Sequence, residues 1–239
     1  MRVAVAAYPA ERLPGLDALE AKLEAWLSEA ADQGTDLAIF PEYAGIEAAL
    51  ASQPPAPLET EAKQIAVDIA RSAESAGAYR DLLVSLARRH RMLVVAGSLP
   101  VKETEAYFNR AWERQNTPLR AATRLRRFDT RFGTLGVLIC YDGEFPLLAR
   151  QLNVDLLAVP ACTDSLAGQT RVRIAARARA LEGQCFSCHA PLLGGDPTSP
   201  LTDVNTGQAG VFAPPDLGFP EDGVLADGLP NSPGWVVAA

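Results

Sequence analysis

Apolar strand-like runs that alternate with stretches of helical spacing predict an α/β fold, with strands buried between helical layers. Two observations carry that expectation. Residues 3–7, 36–40, 92–96, 132–140 and 155–160 are short apolar runs of strand length. Between them apolar residues recur at helical intervals, as at Leu19, Leu23, Trp26, Leu27 and Ala30. Runs that are apolar at nearly every position, rather than at every second one, indicate strands covered on both faces.

Taken in order, residues 3–7 form a first strand and residues 16–31 a helix closed by Gly34. A strand over 36–40 ends at Pro41. Residues 52–58 are proline-rich and form an exposed loop. Two helices follow, over 59–75 and 79–90, then a buried strand over 92–96 that Gly97 begins to exit. Further strands are expected over 106–112 and 132–140, then a helix through Arg150, a strand over 155–160 and a helix over 169–182. Strands over 184–190 and 207–213 complete the pattern in a stretch increasingly rich in glycine and proline. No internal repeat or linker interrupts it, so residues 1–239 are expected to form one domain.

Composition narrows the function classes. The chain has 239 residues, 48% of them hydrophobic and 21% charged, with a net charge of −7. That balance fits a globular protein and argues against nucleic-acid or anionic-membrane partners. No apolar run approaches the length needed to span a bilayer. The first nine residues lack a basic leader region and break at Pro9, which favours a core strand over a signal peptide. With four cysteines and no export signal, the expectation is reduced thiols in a cytoplasmic protein without a cofactor or metal. Lysine occurs only at positions 22, 63 and 102, and arginine supplies the remaining basic residues, seven of them in a cluster from Arg110 to Arg131. Without interleaved aromatic residues that cluster is expected to be a solvated loop.

Two strand ends carry candidate chemistry. In Gly136-Val-Leu-Ile-Cys140-Tyr-Asp-Gly-Glu-Phe-Pro146 an apolar run stops at a cysteine and a helical segment follows. A cysteine at such a corner is expected near the positive end of a helix dipole, which favours thiolate. Free backbone N–H groups there can hold an oxyanion. The bland alternative is a buried core cysteine. The second strand end is Phe40-Pro41-Glu42. A carboxylate and a thiol at neighbouring strand ends form a base–nucleophile pair; the alternative for Glu42 is an ordinary surface carboxylate.

Together these motifs resemble the nitrilase superfamily, the carbon–nitrogen hydrolases. Arg177-Ala-Arg179-Ala-Leu-Glu182, the first strand ending Tyr8-Pro9, and Asn205-Thr-Gly207 extend the resemblance along most of the chain. It implies a four-layer α-β-β-α sandwich that assembles as a homodimer or larger homo-oligomer. It further implies Cys140 as nucleophile, Glu42 as general base, the Tyr141 N–H as oxyanion donor, and the Arg-Ala-x-Glu helix as support close by. The substrate implied is a small amide or nitrile, with amide preferred by analogy. The family's triad also has a lysine between the two motifs, and this chain has none after Lys102. The connection is shorter than the family's around 113–127, and it lacks the family's usual hairpin and second glutamate. The chain also stops where the family continues into a tail that supports the subunit interface. An arginine such as Arg124 or Arg126 in the lysine's place, a non-catalytic homologue serving as a binding or partner subunit, and a deleted or misread segment remain alternatives.

One further string, Cys185-Phe-Ser-Cys188-His189, matches the pattern for covalent haem attachment and contains a dithiol C-x-x-C. Two core cysteines on a strand is the preferred reading, with a haem or dithiol redox protein as the third functional alternative. Cys162, just beyond the 155–160 strand, either lines the pocket or fills space, and filling space is the preferred reading.

Overall fold

The first strand, Val3–Ala10, is buried on both faces and sorts its residues by alternation. Val3, Val5 and Ala7 point into one apolar cluster, and Ala4, Ala6 and Tyr8 into another. A strand enclosed on both sides requires at least three layers, and the rest of the chain supplies four.

In this computed structural model, which describes residues 1–52, 60–103, 106–113 and 125–239, the elements run in order as follows. β1 (Val3–Ala10), α1 (Leu16–Asp32), β2 (Leu37–Ile39), α2 (Ile46–Ser52) and α3 (Glu61–Arg89) come first. β3 (Leu93–Glu103), β4 (Ala106–Glu113), β5 (Arg127–Thr130) and β6 (Gly133–Val137) follow, leading to a 3-10 turn at Cys140–Glu144. Then come α4 (Pro146–Leu152), β7 (Leu156–Ala161), α5 (Leu166–Gly183), β8 (Phe186–Gly194), β9 (Gly210–Phe212), β10 (Val224–Asp227) and β11 (Gly234–Ala238).

The strands form one curled sheet in the order β4-β3-β2-β1-β8-β7-β6-β5, with β11 beside β1, and β9 and β10 beyond β8. β1 belongs to both halves. Its first residues pair with β2 and β11, and Tyr8–Ala10 pair in parallel with Leu192–Gly194 of β8. The curl therefore folds the sheet onto itself as two stacked layers. Between them lie Val5, Ile39, Val95, Leu156, Ala158, Cys188 and Val211. α1 and α3 cover the first layer through Leu19, Leu23, Leu27, Tyr79, Leu83 and Leu86. α5 covers the second through Val172, Ala176 and Ala180 against Leu157 and Val159. Three cores separate four layers, which is the expected α-β-β-α sandwich.

Local chemistry explains most boundaries. α1 ends in a Schellman motif, in which Gly34 N–H donates to the Ala31 carbonyl and Thr35 N–H to that of Ala30. Gly34 has φ of 70°, the left-handed region this motif needs. Thr60 caps α3 by accepting from Lys63 N–H, and Ser165 caps α5 by accepting from Gly168 N–H.

One expectation is corrected. The helices expected over 59–75 and 79–90 are one helix that runs through Gly77. The buried stripe Ala76, Tyr79, Leu83 and Leu86 outweighs the roughly 1 kcal/mol cost of an interior glycine. β3 and β4 pair antiparallel from Ser98↔Ala111 to Glu103↔Ala106, and most of the connection expected to lack the family's hairpin lies outside the described residues. No described helix is long and apolar enough to cross a membrane.

Candidate active site

Glu42 follows β2 in the first layer, and Cys140 follows β6 in the second. The curl brings the two strand ends together, so that the Glu42 carboxylate and the Cys140 thiol act on each other's ionisation. Glu42 is only 7% exposed, which excludes the surface-carboxylate alternative. One carboxylate oxygen, Oε2, accepts from the main-chain N–H of Cys162 at 2.8 Å. The other, Oε1, accepts from Nδ2 of Asn109 on β4 at 2.7 Å. The Cys140 thiol donates to the Cys162 carbonyl at 3.6 Å, so Cys140 and Glu42 both bond the backbone of one residue, Cys162.

Both strand exits use left-handed backbone. Cys140 has φ of 46° and Tyr43, next to Glu42, has φ of 57°. For residues with a Cβ this conformation is strained by about 1–3 kcal/mol, and such strain clusters at functional sites. At Cys140 it turns the chain directly from strand into the 3-10 turn. Asp142 N–H donates to the Ile139 carbonyl at 2.8 Å, and Arg179 Nη1 donates to the Gly143 carbonyl at 3.0 Å. Arg179, 5% exposed, also pairs with Glu182 at 3.1 Å, so the Arg-Ala-x-Glu helix braces the turn. At the first exit Gly97 makes the close approach possible. Its φ is 71°, and a Cβ there would lie 1.9 Å from the Pro41 carbonyl oxygen.

The electrostatics differ from the sequence-based expectation. Burial, reinforced by the Glu42 charge, pushes the Cys140 thiol well above its ordinary pKa, so the neutral thiol is favoured over thiolate. The expected helix dipole is weak here, because the residues after Cys140 form a 3-10 turn and α4 begins only at Pro146. Hydrogen bonds from the main-chain N–H groups of Cys162 and Tyr141 oppose the rise but do not reverse it. Burial also raises Glu42 to about 7, against the lowering effect of its bonds to Cys140, Cys162 and Asn109. The nearby Asp142 raises it further. The pair is therefore a neutral thiol beside a carboxyl group that titrates near neutral pH.

Of the residues expected at the site, Glu42, Cys140 and the Tyr141 N–H converge. Arg124 lies outside the described residues. Arg126 is described, and none of the hydrogen bonds or ion pairs of Glu42 or Cys140 is made with it. Cys162 is not mere filler: its N–H holds Glu42, and its Sγ donates to Asn205 Oδ1 at 2.9 Å. Thr206 N–H donates to the Thr163 carbonyl at 2.8 Å, which fixes the same loop. Asn109 escaped sequence reasoning because nothing local marks it. The Tyr141 and Phe145 rings stack edge-to-face at 5.0 Å and are 59% and 45% exposed, so they rim the turn.

The Cys185–His189 string is core. Cys185 belongs to the cluster under α5 and Cys188 to the cluster between the sheets, so their thiols face different layers. Both are free and buried. His189 donates from Nδ1 to the Gln208 carbonyl at 3.0 Å, and burial lowers its pKa to about 4. No group of three or more potential metal ligands occurs among the described residues.

Comparison with known proteins agrees with this architecture. The carbon–nitrogen hydrolase family model matches residues 2–117 and 105–214, two stretches that overlap over 105–117, which includes β4. The chain belongs to the carbon–nitrogen hydrolase family. It is 28% identical to the "Probable hydrolase YhcX" of Bacillus subtilis over 97% of this chain and 48% of that protein, so it spans about half of that relative's length. It is 38% identical to the deaminated glutathione amidase of Yersinia enterocolitica over 28% of this chain and 24% of that one. Among solved structures, a mutant amidase from Nesterenkonia sp. AN1 with acrylamide added at its active-site cysteine superposes with a TM-score of 0.69. It is 20% identical and covers 100% of this chain and 92% of its own. Saccharomyces cerevisiae Nit3, of branch 10 of the nitrilase superfamily, gives 0.66 at 18% identity over 100% and 89%. At these identities the two structures establish the fold.

Proposed function

We propose that the protein hydrolyses a small amide to a carboxylate and ammonia, with Cys140 as nucleophile and Glu42 as general base and acid. The observation that carries this reading is that Cys140 and Glu42 meet on Cys162, whose carbonyl accepts from the thiol and whose N–H holds a buried carboxylate that titrates near 7. Such a carboxylate is matched to proton transfer at neutral pH. Amidases among the relatives and structural neighbours support amide over nitrile.

In this mechanism ionised Glu42 takes the thiol proton as sulfur attacks the amide carbon. The carbonyl π pair moves onto oxygen, and the Tyr141 N–H donates to that oxyanion. Collapse breaks the C–N bond as Glu42 returns the proton to nitrogen, releasing ammonia and leaving an acyl-thioester. Glu42 then takes a proton from water, whose oxygen attacks the thioester, and returns it to the departing Cys140 sulfur.

Ammonia release from a panel of small primary amides tests the reading. Wild-type release that is abolished by Cys140→Ala supports it. No release from a correctly folded protein favours the second reading, a homologue that keeps the sandwich as a binding or partner subunit. One observation favours that second reading: the lysine of the family's triad has no counterpart after Lys102.

A further inference from the structure

Asn109 sits on β4 opposite Pro100 of β3, at the edge of the first sheet layer. Its Nδ2 donates to Glu42, whereas its Oδ1 is buried with no hydrogen-bond partner. A buried carbonyl oxygen without a donor is costly to a fold. A leucine of similar size carries no such cost, so packing alone gives no reason for asparagine here. What asparagine adds is the bond to Glu42.

That bond has a complement. The Cys162 N–H approaches the carboxylate from the second layer and holds the other oxygen. One neutral donor on each oxygen fixes the plane of the carboxylate and leaves it turned toward the Cys140 thiol. The same two bonds oppose the effect of burial on Glu42, which otherwise favours its protonated form.

We propose that Asn109 is a positioning residue of the reaction, one that orients the Glu42 carboxylate toward Cys140 and keeps it ionised at neutral pH. The inference rests on the reading of Glu42 and Cys140 as base and nucleophile, and adds a residue that neither sequence motif contains. It acts through Glu42 and does not touch the reacting carbon.

Two pH profiles test it in the intact protein: kcat/KM for amide hydrolysis, and the rate of Cys140 alkylation by iodoacetamide, which needs no known substrate. In wild type both rise through about pH 7 as Glu42 ionises. In Asn109→Leu the charged form loses a donor, so the limb moves up by about one pH unit. The rate near pH 6.5 then falls about tenfold, while the high-pH plateau and KM hold. Asn109→Asp moves the limb further, because a second carboxylate disfavours ionisation of the first. If Asn109→Leu does not fold, Asn109→Ala reads the same limb. A merely structural role lowers the plateau without moving the limb, and that result overturns the proposal. A limb that moves in alkylation while no amide is hydrolysed retains Asn109 and removes the hydrolase reading. Amide hydrolysis with unmoved limbs does the opposite.

Discussion

The main-chain N–H of Cys162 donates to Oε2 of Glu42 at 2.8 Å, and this one bond ties the end of β7 to the loop after β2. It crosses between the two sheet layers. Glu42 therefore comes from one layer and Cys140 from the other, and the curl of the sheet is what brings them together. Because the donor is main chain, Cys162→Ala keeps it. Ammonia release by Cys162→Ala is expected to stay within a few-fold of wild type. Cys162→Pro, which has no N–H, is expected to move the acidic limb of kcat/KM upward.

Glu42 and His189 are expected to bend the stability–pH curve in opposite directions. Glu42 rises from 4.5 unfolded to about 7 folded, so the folded state binds more protons between those values. Its contribution of about 3 kcal/mol is present below 4.5 and lost as pH rises through 7. His189 falls from 6.5 to about 4, so its contribution of similar size is present above 6.5 and lost as pH falls through 4. Glu42→Gln is expected to melt higher than wild type at pH 8 and to match it near pH 4.5. It should also show a steeper rise in melting temperature with pH between 4.5 and 6.5, because the opposing slope is gone. Thermal melts across that range check both. The same variant is expected to lose at least about 10²-fold in kcat.

Gly97→Ala is expected to damage the site from outside it. The added Cβ meets the Pro41 carbonyl at 1.9 Å, on a backbone with φ of 71°. Pro41 must move, and Glu42 moves with it. A loss of about 2 kcal/mol or more in unfolding free energy, with a loss of ammonia release larger than destabilisation explains, is the expected outcome in denaturant titration and assay.

Gly77→Ala is expected to do the reverse. Gly77 lies inside α3, and a Cβ there meets nothing within 4 Å. The substitution should stabilise by about 0.5–1 kcal/mol and leave catalysis unchanged.

Cys185 and Cys188 are expected to matter for packing alone. Cys188 is fully buried between the sheets, so Cys188→Ser, which buries a hydroxyl, should cost about 1–3 kcal/mol. Ammonia release per folded molecule should not change, and expression in a haem-maturing host should give no Soret band.

The unbroken apolar run of β1 and the helical spacing of α1 made the layers legible, because burial on both faces leaves a strand no polar position. Glu42 and Cys140 were legible as strand-end residues in specific motifs. Asn109 and Cys162 were not, since their roles rest on contacts with Glu42 from distant β4 and β7. The protonation of Cys140 was misjudged for a related reason. Local sequence shows a corner before a helix, whereas the deciding effects, burial and the Glu42 charge, come from the tertiary fold. Likewise Gly77 marks a break in local propensity that the buried face of α3 overrides.

The most direct test is to trap the intermediate. The protein is mixed with a small primary amide that it turns over, quenched in acid within a turnover, digested and mapped by mass spectrometry. The account predicts an acyl group on the peptide that carries Cys140, accompanied by a stoichiometric burst of ammonia and absent from Cys140→Ala. Ammonia release at wild-type rate from Cys140→Ala, or an acyl group mapped to a different cysteine, would contradict it.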